Sequence, residues 1–263
     1  MPRYFIELAY KGTRYAGFQK QDNANTIQAE LEKALSIYCR TNFELTGSSR
    51  TDAGVHARQN FFHFDTGTFS ADTDLSKLVY HINAILPEDI VVKAVFPVED
   101  QAHCRFDALF RRYEYRIYTD KDPFQQEMAY HYPYKLNRNI LEETARELLH
   151  HTDFESFAKR NSQVFTHNCT IISSAWEFNA DHLIYKVQAN RFLRGMVKGL
   201  VGTMLRAAKK GKTVEHFREI ILSKDASKAE FAVPSRGLTL VEVGFATLNR
   251  GELPATGMPG KMF

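Results

Sequence analysis

The order in which strand and helix patterns follow one another constrains this chain most. Residues 4–8 alternate apolar and polar side chains as a strand does, and apolar residues at helical spacing follow from residue 27 to residue 38. The rest of the first half is predicted to contain strands at 43–46 and 59–65, a helix over 75–86 and a strand at 90–96. This β-α-β-β-α-β order predicts a ferredoxin-like unit, the arrangement also seen in RRM domains.

The second half repeats that order with longer insertions. Its predicted elements are a strand at 109–119, a helix over 139–149, a hairpin of strands 169–178 and 182–189, helices over 191–209 and 214–222, and a strand at 238–245. Asn25 and Asn139 are the predicted helix N-caps, because each has a Gln or Glu three residues later. Residues 152–168 show no periodicity and are predicted to form a loop.

The fold class predicted from these patterns is α+β with two ferredoxin-like units. The N-terminal domain is expected at 1–104, the C-terminal domain at 105–248, and a loosely ordered tail at 249–263. Two such units side by side could join their sheets and leave a cleft between them.

A short polar loop between two predicted strands is the strongest candidate for chemistry. It runs from Gly47 to Ala57 and is too rich in small polar residues to be core. Asp52 follows the cation Arg50 by two residues and precedes Gly54, which can adopt a positive φ. The same sequence is also an ordinary turn, so a functional role requires support from the rest of the chain.

The composition is that of a globular chain without a strong overall charge. The 263 residues carry a net charge of +3 and 44% hydrophobic residues, enough for about two domains with a sizeable core. Three cysteines with no C-x-x-C spacing predict neither a disulfide framework nor a cysteine-rich zinc site. No apolar stretch reaches the roughly 18 residues of a membrane helix, and no leader precedes the strand pattern at Arg3, so a reducing, cytoplasmic setting is expected.

A local basic surface is predicted despite the modest net charge. From His182 to Val214 the chain has no Asp or Glu, and Arg191, Arg194 and Lys198 are spaced to share one face of the predicted helix. A solvated helix face is the ordinary explanation, but the missing acids favour a polyanion-binding surface, whose phosphate contacts would position a nucleic acid without reading its sequence.

Several aromatic and histidine residues have ordinary explanations that compete with functional ones. Tyr113 and Tyr115 share one strand face, where cross-strand packing is common, although a tyrosine there could also stack on an extruded base. His56 and His63 flank the Asp52 loop and are expected to be structural. The pairs at 103–104 and 150–151 lack further ligands at suitable spacing, so no metal site is predicted.

The segment Arg50-Thr51-Asp52-Ala53-Gly54-Val55-His56-Ala57 resembles the signature of the tRNA pseudouridine synthase A family. Further matches cover nearly the whole chain in the same order, at residues 7–12, 15–19, 83–87, 105–108, 112–115, 153–157, 192–202 and 232–238. The resemblance implies a pseudouridine synthase fold of two domains that share a mostly antiparallel sheet, a homodimer, and conversion of uridine to pseudouridine at positions 38, 39 and 40 of the tRNA anticodon arm. It implies no cofactor and no metal.

The resemblance also implies roles for individual residues. It makes Asp52 the nucleophile and Tyr113 the tyrosine that contacts the target base, with Arg50 lining the same site. Attack at the sugar C1′, attack at C6 of the base and abstraction of the 2′ proton all suit a carboxylate, and the sequence does not choose among them. Each route requires an ionised Asp52 and a paired cation that offsets its desolvation.

This sequence departs from the family pattern near the site. The family carries an arginine where this chain has Lys198, which keeps the charge and loses the bidentate fork. Ser48 and Ser49 replace small apolar residues, and residues 58–60 replace a glycine-containing segment. These departures concern the set of modified positions more than the type of reaction.

Two hypotheses of other classes compete with an isomerase acting on tRNA. One is an RNA-binding protein that has lost efficient turnover, for which Lys198 is the best support. The other is a carboxylate hydrolase acting on sugars or nucleosides, which would require a second carboxylate as general acid. No such second acid stands out in the sequence.

Overall fold

The computed structural model describes residues 1–70, 72–159, 165–179 and 181–246. Contacts divide the chain into two compact units. Unit 1 consists of Met1–Leu109 and the chain from Val243 onward, and unit 2 consists of Phe110–Glu242. The mixed α+β class and the mostly antiparallel strand pairing predicted above are confirmed.

Unit 1 is built around a central antiparallel strand. Its elements are β1 (Arg3–Tyr10), α1 (Ile27–Cys39), β2 (Thr46–Gly47), β3 (His56–Asp65), α2 (Leu75–Ile85) and β4 (Ile90–Val98). β1 pairs with β3 on one side and β4 on the other, so Ile6 lies opposite both Phe62 and Val95. Ile6, Phe62 and the α1 residues Leu31 and Leu35 have no solvent exposure and form the core. The long, two-sided pairing of β1 makes a firm support for the loop that precedes β3.

Two local predictions for unit 1 are wrong. The helix α1 is capped by the side chain of Thr26, which accepts a hydrogen bond from the Ala29 backbone N–H, and Asn25 is not the cap. The predicted strand at 43–46 is reduced to the two-residue β2, because only Thr46 and Gly47 pair with β3. The apolar residues before β2 are buried without joining the ladder, and Phe43 packs edge-on against Phe64.

The described residues of unit 2 form antiparallel strands and three α-helices. Its elements are β5 (Ala108–Tyr118), β6 (Tyr130–His131), α3 (Arg138–Glu147), β7 (Ile171–Phe178), β8 (His182–Ala189), α4 (Met196–Lys210), α5 (Val214–Leu222) and β9 (Leu238–Phe245). The first two residues of β5 and the last three of β9 fall in unit 1. β8 lies between β5 and β7 and is antiparallel to both, and the short β6 runs parallel to β5. The predicted β-α-β-β-α-α-β order is therefore present, with β6 as an addition.

The residues predicted as a loop at 152–168 contain a buried anchor. Phe154 and Phe157 have no solvent exposure, and a short 3-10 turn over Glu155–Phe157 carries the second of them. Aromatic anchors in a single turn have no periodicity that a sequence pattern could reveal.

The predicted cap of α3 is wrong. Asn137 caps α3 and Asn139 does not, since the Asn137 side chain accepts a hydrogen bond from the Ile140 N–H. The tail predicted at 249–263 lies outside the described residues.

The helix predicted over 191–209 begins later than its sequence pattern indicates. α4 starts at Met196 after Gly195, whose φ of 73° ends helical continuity with the preceding residues. The Met196 N–H donates to the carbonyl of Leu193, so the segment before the helix is a turn. Arg191 and Arg194 lie in that segment, and the prediction that they share a helix face with Lys198 is wrong.

None of the helices in the described ranges is both long and apolar enough to span a membrane. All three cysteines lie in those ranges as well, and none forms a disulfide.

Candidate active site

The candidate loop of unit 1 connects β2 to β3 and holds Asp52 at its turn. The Val55 N–H donates to the Asp52 carbonyl at 3.2 Å, and Gly54 has a φ of 76°, a conformation that side chains with a Cβ rarely adopt. Thr51 and Val55 on either side are buried, whereas Asp52 is half-buried. The loop therefore presents one carboxylate from a backbone that is anchored on both sides.

The segment that follows β1 clamps the outside of this loop. The Phe18 N–H donates to the Thr51 carbonyl at 3.1 Å, and the Gly54 N–H donates to the Tyr15 carbonyl at 3.3 Å. A Cβ at Gly12 would come within 2.0 Å of the Val55 carbonyl oxygen, so only glycine allows this close approach. The matches at 7–12 and 15–19 noted in the sequence thus correspond to a structural clamp on the Asp52 loop.

Tyr15 is itself held from outside the loop. Its hydroxyl donates to Asp89 at 2.5 Å, and the Arg14 guanidinium donates to the same carboxylate at 2.8 Å. Burial would favour the protonated acid, but the hydrogen bonds from Arg14 and Tyr15 outweigh it and hold the pKa of Asp89 below its usual value. An ionised Asp89 thus anchors the residue whose carbonyl holds Gly54.

A buried amide supports the inner side of the loop. Asn60 has no solvent exposure, and its Nδ2 donates to the Ser49 carbonyl at 2.9 Å and to the Tyr10 hydroxyl at 3.2 Å. Its Oδ1 accepts from the N–H groups of Ser49 at 3.3 Å and Phe61 at 2.9 Å. Tyr10 continues the network to the Thr51 hydroxyl at 2.8 Å. Sequence reasoning noted Asn60 only as a departure from the family pattern and did not identify this role.

Ser48 and Ser49 differ from Asn60 because their hydroxyls have no role in this network. Both residues are more than nine-tenths buried, and neither Oγ has a hydrogen-bond partner within the described part of the chain. The Ser48 backbone still anchors the loop, since its N–H donates to the Phe61 carbonyl at 2.8 Å. Two hydroxyls thus stand where small apolar side chains would fit the surroundings.

The two histidines that flank the loop occupy structural positions. His56 is buried and accepts a hydrogen bond at Nδ1 from the Gly12 N–H at 3.0 Å. His63 is buried with its Nδ1 3.2 Å from the Cys104 Sγ. Burial, reinforced by the neighbouring His103 and Arg3, lowers the pKa of His63 to about 4. His63 is therefore neutral near pH 7.

The other predicted site residues belong to two different units. Arg50 is exposed on the same loop as Asp52 in unit 1, whereas Tyr113 lies on β5 and Lys198 on α4 in unit 2. Tyr113 is 9% exposed, lies opposite Val187 of β8 and packs at 90° against Phe192, with 5.2 Å between ring centroids. Its ring is therefore oriented by packing rather than loosely mobile.

Lys198 is positioned by the segment that leads into β9. Its Nζ donates to the Ser235 hydroxyl at 3.3 Å, and the side chain is half-buried. This segment lies close against α4, since a Cβ at Gly199 would meet the Phe231 ring at 2.7 Å and one at Gly202 would meet the Glu230 carbonyl at 2.2 Å. The match at 232–238 thus accounts for the placement of Ser235 beside Lys198.

The cations of the acid-free stretch do not form one uniform surface. Lys186 pairs with Glu177 at 2.6 Å, and Arg206 lies 3.8 Å from Glu230. The residues at the C-terminal end of α4 are exposed, and Lys209 lies over the Tyr134 ring. Acids from other parts of unit 2 therefore compensate some of these cations.

One group of three potential metal ligands exists among the described residues. Asp153, Glu155 and His167 bring their ligand atoms within 4.8 Å of one another. The Asp153 carboxylate already pairs with Lys224 at 2.7 Å and caps the Glu155 N–H at 3.1 Å. These contacts explain the position of Asp153 without a metal ion.

Comparisons with known proteins match one family over most of this chain. The family described as tRNA pseudouridine synthase matches residues 8–107 and 144–246. The chain is 41% identical to the tRNA pseudouridine synthase A of Parabacteroides distasonis over 245 residues, covering 93% of this chain and 96% of that protein. It is 38% identical to the enzyme of the same name from Azobacteroides pseudotrichonymphae, with 93% and 97% covered, and 33% identical to that of Staphylococcus aureus strain MRSA252, with 92% and 91% covered.

Proposed function

The chain belongs to the tRNA pseudouridine synthase family, and from this premise we propose that it acts on the tRNA anticodon stem-loop with Asp52 as the nucleophile. The reaction is the isomerisation of uridine to pseudouridine in tRNA, the activity for which its relatives are named. The proposed targets are positions 38, 39 and 40. The observation that carries the proposal is the clamped loop of unit 1, which holds a half-buried carboxylate on an immobilised turn.

The isomerisation makes particular demands on the carboxylate. The N1–C1′ bond must break, the detached uracil must turn, and a C5–C1′ bond must form while C5 loses its proton. Attack at C1′, attack at C6 and abstraction of the 2′ proton each require an oxygen held at one place through these steps. The hydrogen bonds that fix Thr51, Gly54 and Val55 supply that placement, and none of them selects one route over another.

The other site residues receive complementary roles in this proposal. Lys198 supplies the cation that offsets the desolvation of Asp52, and its hydrogen bond to Ser235 restricts its otherwise flexible side chain. Tyr113, held edge-on by Phe192, stacks on the uracil while it turns. Arg50 is exposed and lines the entrance, where the flipped nucleotide leaves the RNA stem. The proposal requires two ferredoxin-like units that join their sheets and bring these residues together.

The remaining expectations extend the same proposal. The functional form is a homodimer located in the cytoplasm, where its tRNA substrate is found. The domains are 1–104, which carries the catalytic loop, and 105–248, followed by the tail at 249–263. The compact units change at Leu109–Phe110, a few residues beyond the first of these boundaries, and again at Glu242–Val243, a few residues before the second.

A second candidate is a synthase of the same reaction with an altered or reduced RNA target range. Lys198 favours it, because an ammonium group cannot reproduce the bidentate orientation of an arginine beside a carboxylate. Assays on tRNAs that each retain a single uridine, at position 38, 39 or 40, separate the two candidates by which substrates are converted.

The Asp52→Asn variant tests the central role. Tritium release from C5-labelled uridine in tRNA reports the chemical step, and equilibrium binding of the same tRNA reports recognition. We expect Asp52→Asn to abolish release while binding persists, because the amide keeps the shape of the side chain and loses its charge. Asp72→Asn, at an exposed position of unit 1, is the matched control and should retain full release.

Two outcomes would contradict the proposal at different levels. Release by Asp52→Asn at the wild-type rate would exclude the carboxylate as nucleophile and leave the reaction intact. A wild-type chain that binds tRNA without releasing tritium from any substrate would instead support a binding protein without turnover.

A further inference from the structure

A small, mainly apolar pocket with cationic side chains in its lining lies between α4 and α5 in unit 2. Its volume is about 200 Å³, below the roughly 300–1,000 Å³ typical of sites for whole small molecules. Thr203, Ala207 and Ile220 form its walls, and its polar lining is completed by Arg206, Lys210, Lys212 and His216. No Asp or Glu is among the lining residues. The interior of the pocket is mainly apolar, so its cationic side chains, rather than its cavity, are what an anionic group such as a phosphate would contact.

The charges around this pocket are only partly compensated. Arg206 lies 3.8 Å from Glu230 and donates to the Lys228 carbonyl, and His216 lies 3.6 Å from Glu219. Lys210 and Lys212 are exposed, and they make no ion pair with any residue in the described ranges. The lysines are thus the cations that remain available to an external anion. Their long, flexible side chains suit contact with a phosphate as a point charge.

An exposed aromatic ring packs on the last turn of α4, the turn that also carries Lys210. Tyr134 is 50% exposed, and the Nζ of Lys209, which precedes Lys210 in the last turn of α4, lies 3.1 Å from its ring centroid. Tyr132 packs against Tyr134 at 5.0 Å, and Tyr130 packs against Tyr132 at 5.4 Å. The row of rings holds Tyr134 in place while leaving half of it accessible to solvent. Rigid exposed aromatic rings beside lysines are typical of surfaces on which nucleobases stack.

We infer that the C-terminal end of α4 with Tyr134, the α4–α5 corner, is a second RNA-contact surface, in which Lys210 and Lys212 contact a backbone phosphate and Tyr134 supports a base. The inference rests on the proposed tRNA substrate and concerns a part of that RNA other than the uridine at Asp52. It gives the acid-free stretch of the sequence a function, because Lys210 and Lys212 line the pocket and Lys209 lies over the Tyr134 ring. Such contacts raise affinity and fix register without reading sequence.

The lysine contribution is tested with a double variant and a matched control. Lys210→Gln with Lys212→Gln removes the two lysines that lack ion pairs, and Lys33→Gln with Lys77→Gln removes two exposed lysines from α1 and α2 of unit 1. Binding of an unmodified tRNA transcript is measured against salt concentration in the Asp52→Asn background, which keeps the RNA unmodified. Thermal melting confirms that each protein is folded.

We expect the corner variant to lower tRNA affinity and the control to leave it nearly unchanged. The slope of log affinity against log salt should become shallower by about 0.9 for each phosphate that the variant no longer neutralises. With Asp52 restored, the corner variant should raise KM for tRNA and keep kcat, because the corner does not contact the reacting base. Tyr134→Ala should weaken binding at least about fivefold, whereas Tyr134→Phe should retain affinity.

Unchanged affinity and salt slope in the Lys210 and Lys212 variant would overturn the inference. So would an equal loss of affinity in the Lys33 and Lys77 control, which would reveal only a general effect of net charge. Failure of the proposed function has a different signature, since wild-type protein would then release no tritium from any tRNA.

Discussion

Replacement of Asn60 offers the sharpest test of how the candidate loop is held. This amide lies on β3 and not on the loop, yet it bonds both backbone polar groups of Ser49, three residues before Asp52. It also holds the Tyr10 hydroxyl, which in turn bonds Thr51. Asn60→Ala removes these hydrogen bonds without touching any residue proposed to contact the RNA.

The expected destabilisation follows from the groups that lose their partner. Each buried polar group left unsatisfied costs about 1–3 kcal/mol, and the Ser49 N–H, the Ser49 carbonyl and the Phe61 N–H all lose their bond to Asn60. The Tyr10 hydroxyl keeps its bond to Thr51, and relaxation of the exposed side of the loop recovers part of the stability. We therefore expect the free energy of unfolding to fall by about 2–4 kcal/mol.

The same change should slow catalysis, because the loop that carries Asp52 gains freedom. Misplacement of a catalytic group by about 1 Å can reduce rates by about a hundredfold, so at least a tenfold reduction of kcat is expected. Urea unfolding measures the first effect, and tritium release under saturating tRNA measures the second. Gln59→Ala is the control, since Gln59 bonds Glu7 and the Val243 N–H and makes no hydrogen bond to the loop within the described ranges.

Equal behaviour of the Asn60 and Gln59 variants would refute this reasoning. In particular, an Asn60→Ala protein with normal kcat would show that the loop holds Asp52 without the amide. Destabilisation without a reduction of kcat would assign Asn60 to the fold alone.

Two further predictions concern stability. Ser49→Ala should raise the free energy of unfolding by about 1 kcal/mol, because it removes a buried hydroxyl that has no partner within the described residues. A lower urea midpoint for this variant than for the wild type would show that the hydroxyl makes a hydrogen bond. Hydrogen bonds from Arg218, aided by His151 and opposed by burial, lower the pKa of Glu147 from 4.5 to about 2. The stability that this ion pair provides is therefore complete above about pH 4.5 and is lost as the pH falls toward 2. Glu147→Gln should lower the free energy of unfolding by about 2 kcal/mol at pH 7 and flatten its dependence on pH between those two values. The control Glu219→Gln, at an exposed position, should leave this pH dependence unchanged.

The sequence predicted the features of this protein that local pattern encodes. Within the described ranges, apolar periodicity located every α-helix and nearly every strand, and α5 and β9 have the predicted bounds. The Asp52 loop was recognisable because its motif is contiguous in the chain. These features depend on residues within one or two turns of each other, so a single sequence contains the information.

The contacts that shape the Asp52 loop and the α4–α5 corner were decided by tertiary structure. The late start of α4 depends on the conformation of Gly195, and a glycine in a sequence does not reveal the sign of its φ. Asn60 supports Ser49 because strand pairing brings β3 beneath the loop, and Tyr134 meets Lys209 across 75 positions of chain. Contacts between residues so far apart in sequence arise only when the chain packs, because side-chain periodicity records which face is buried and not what lies against it.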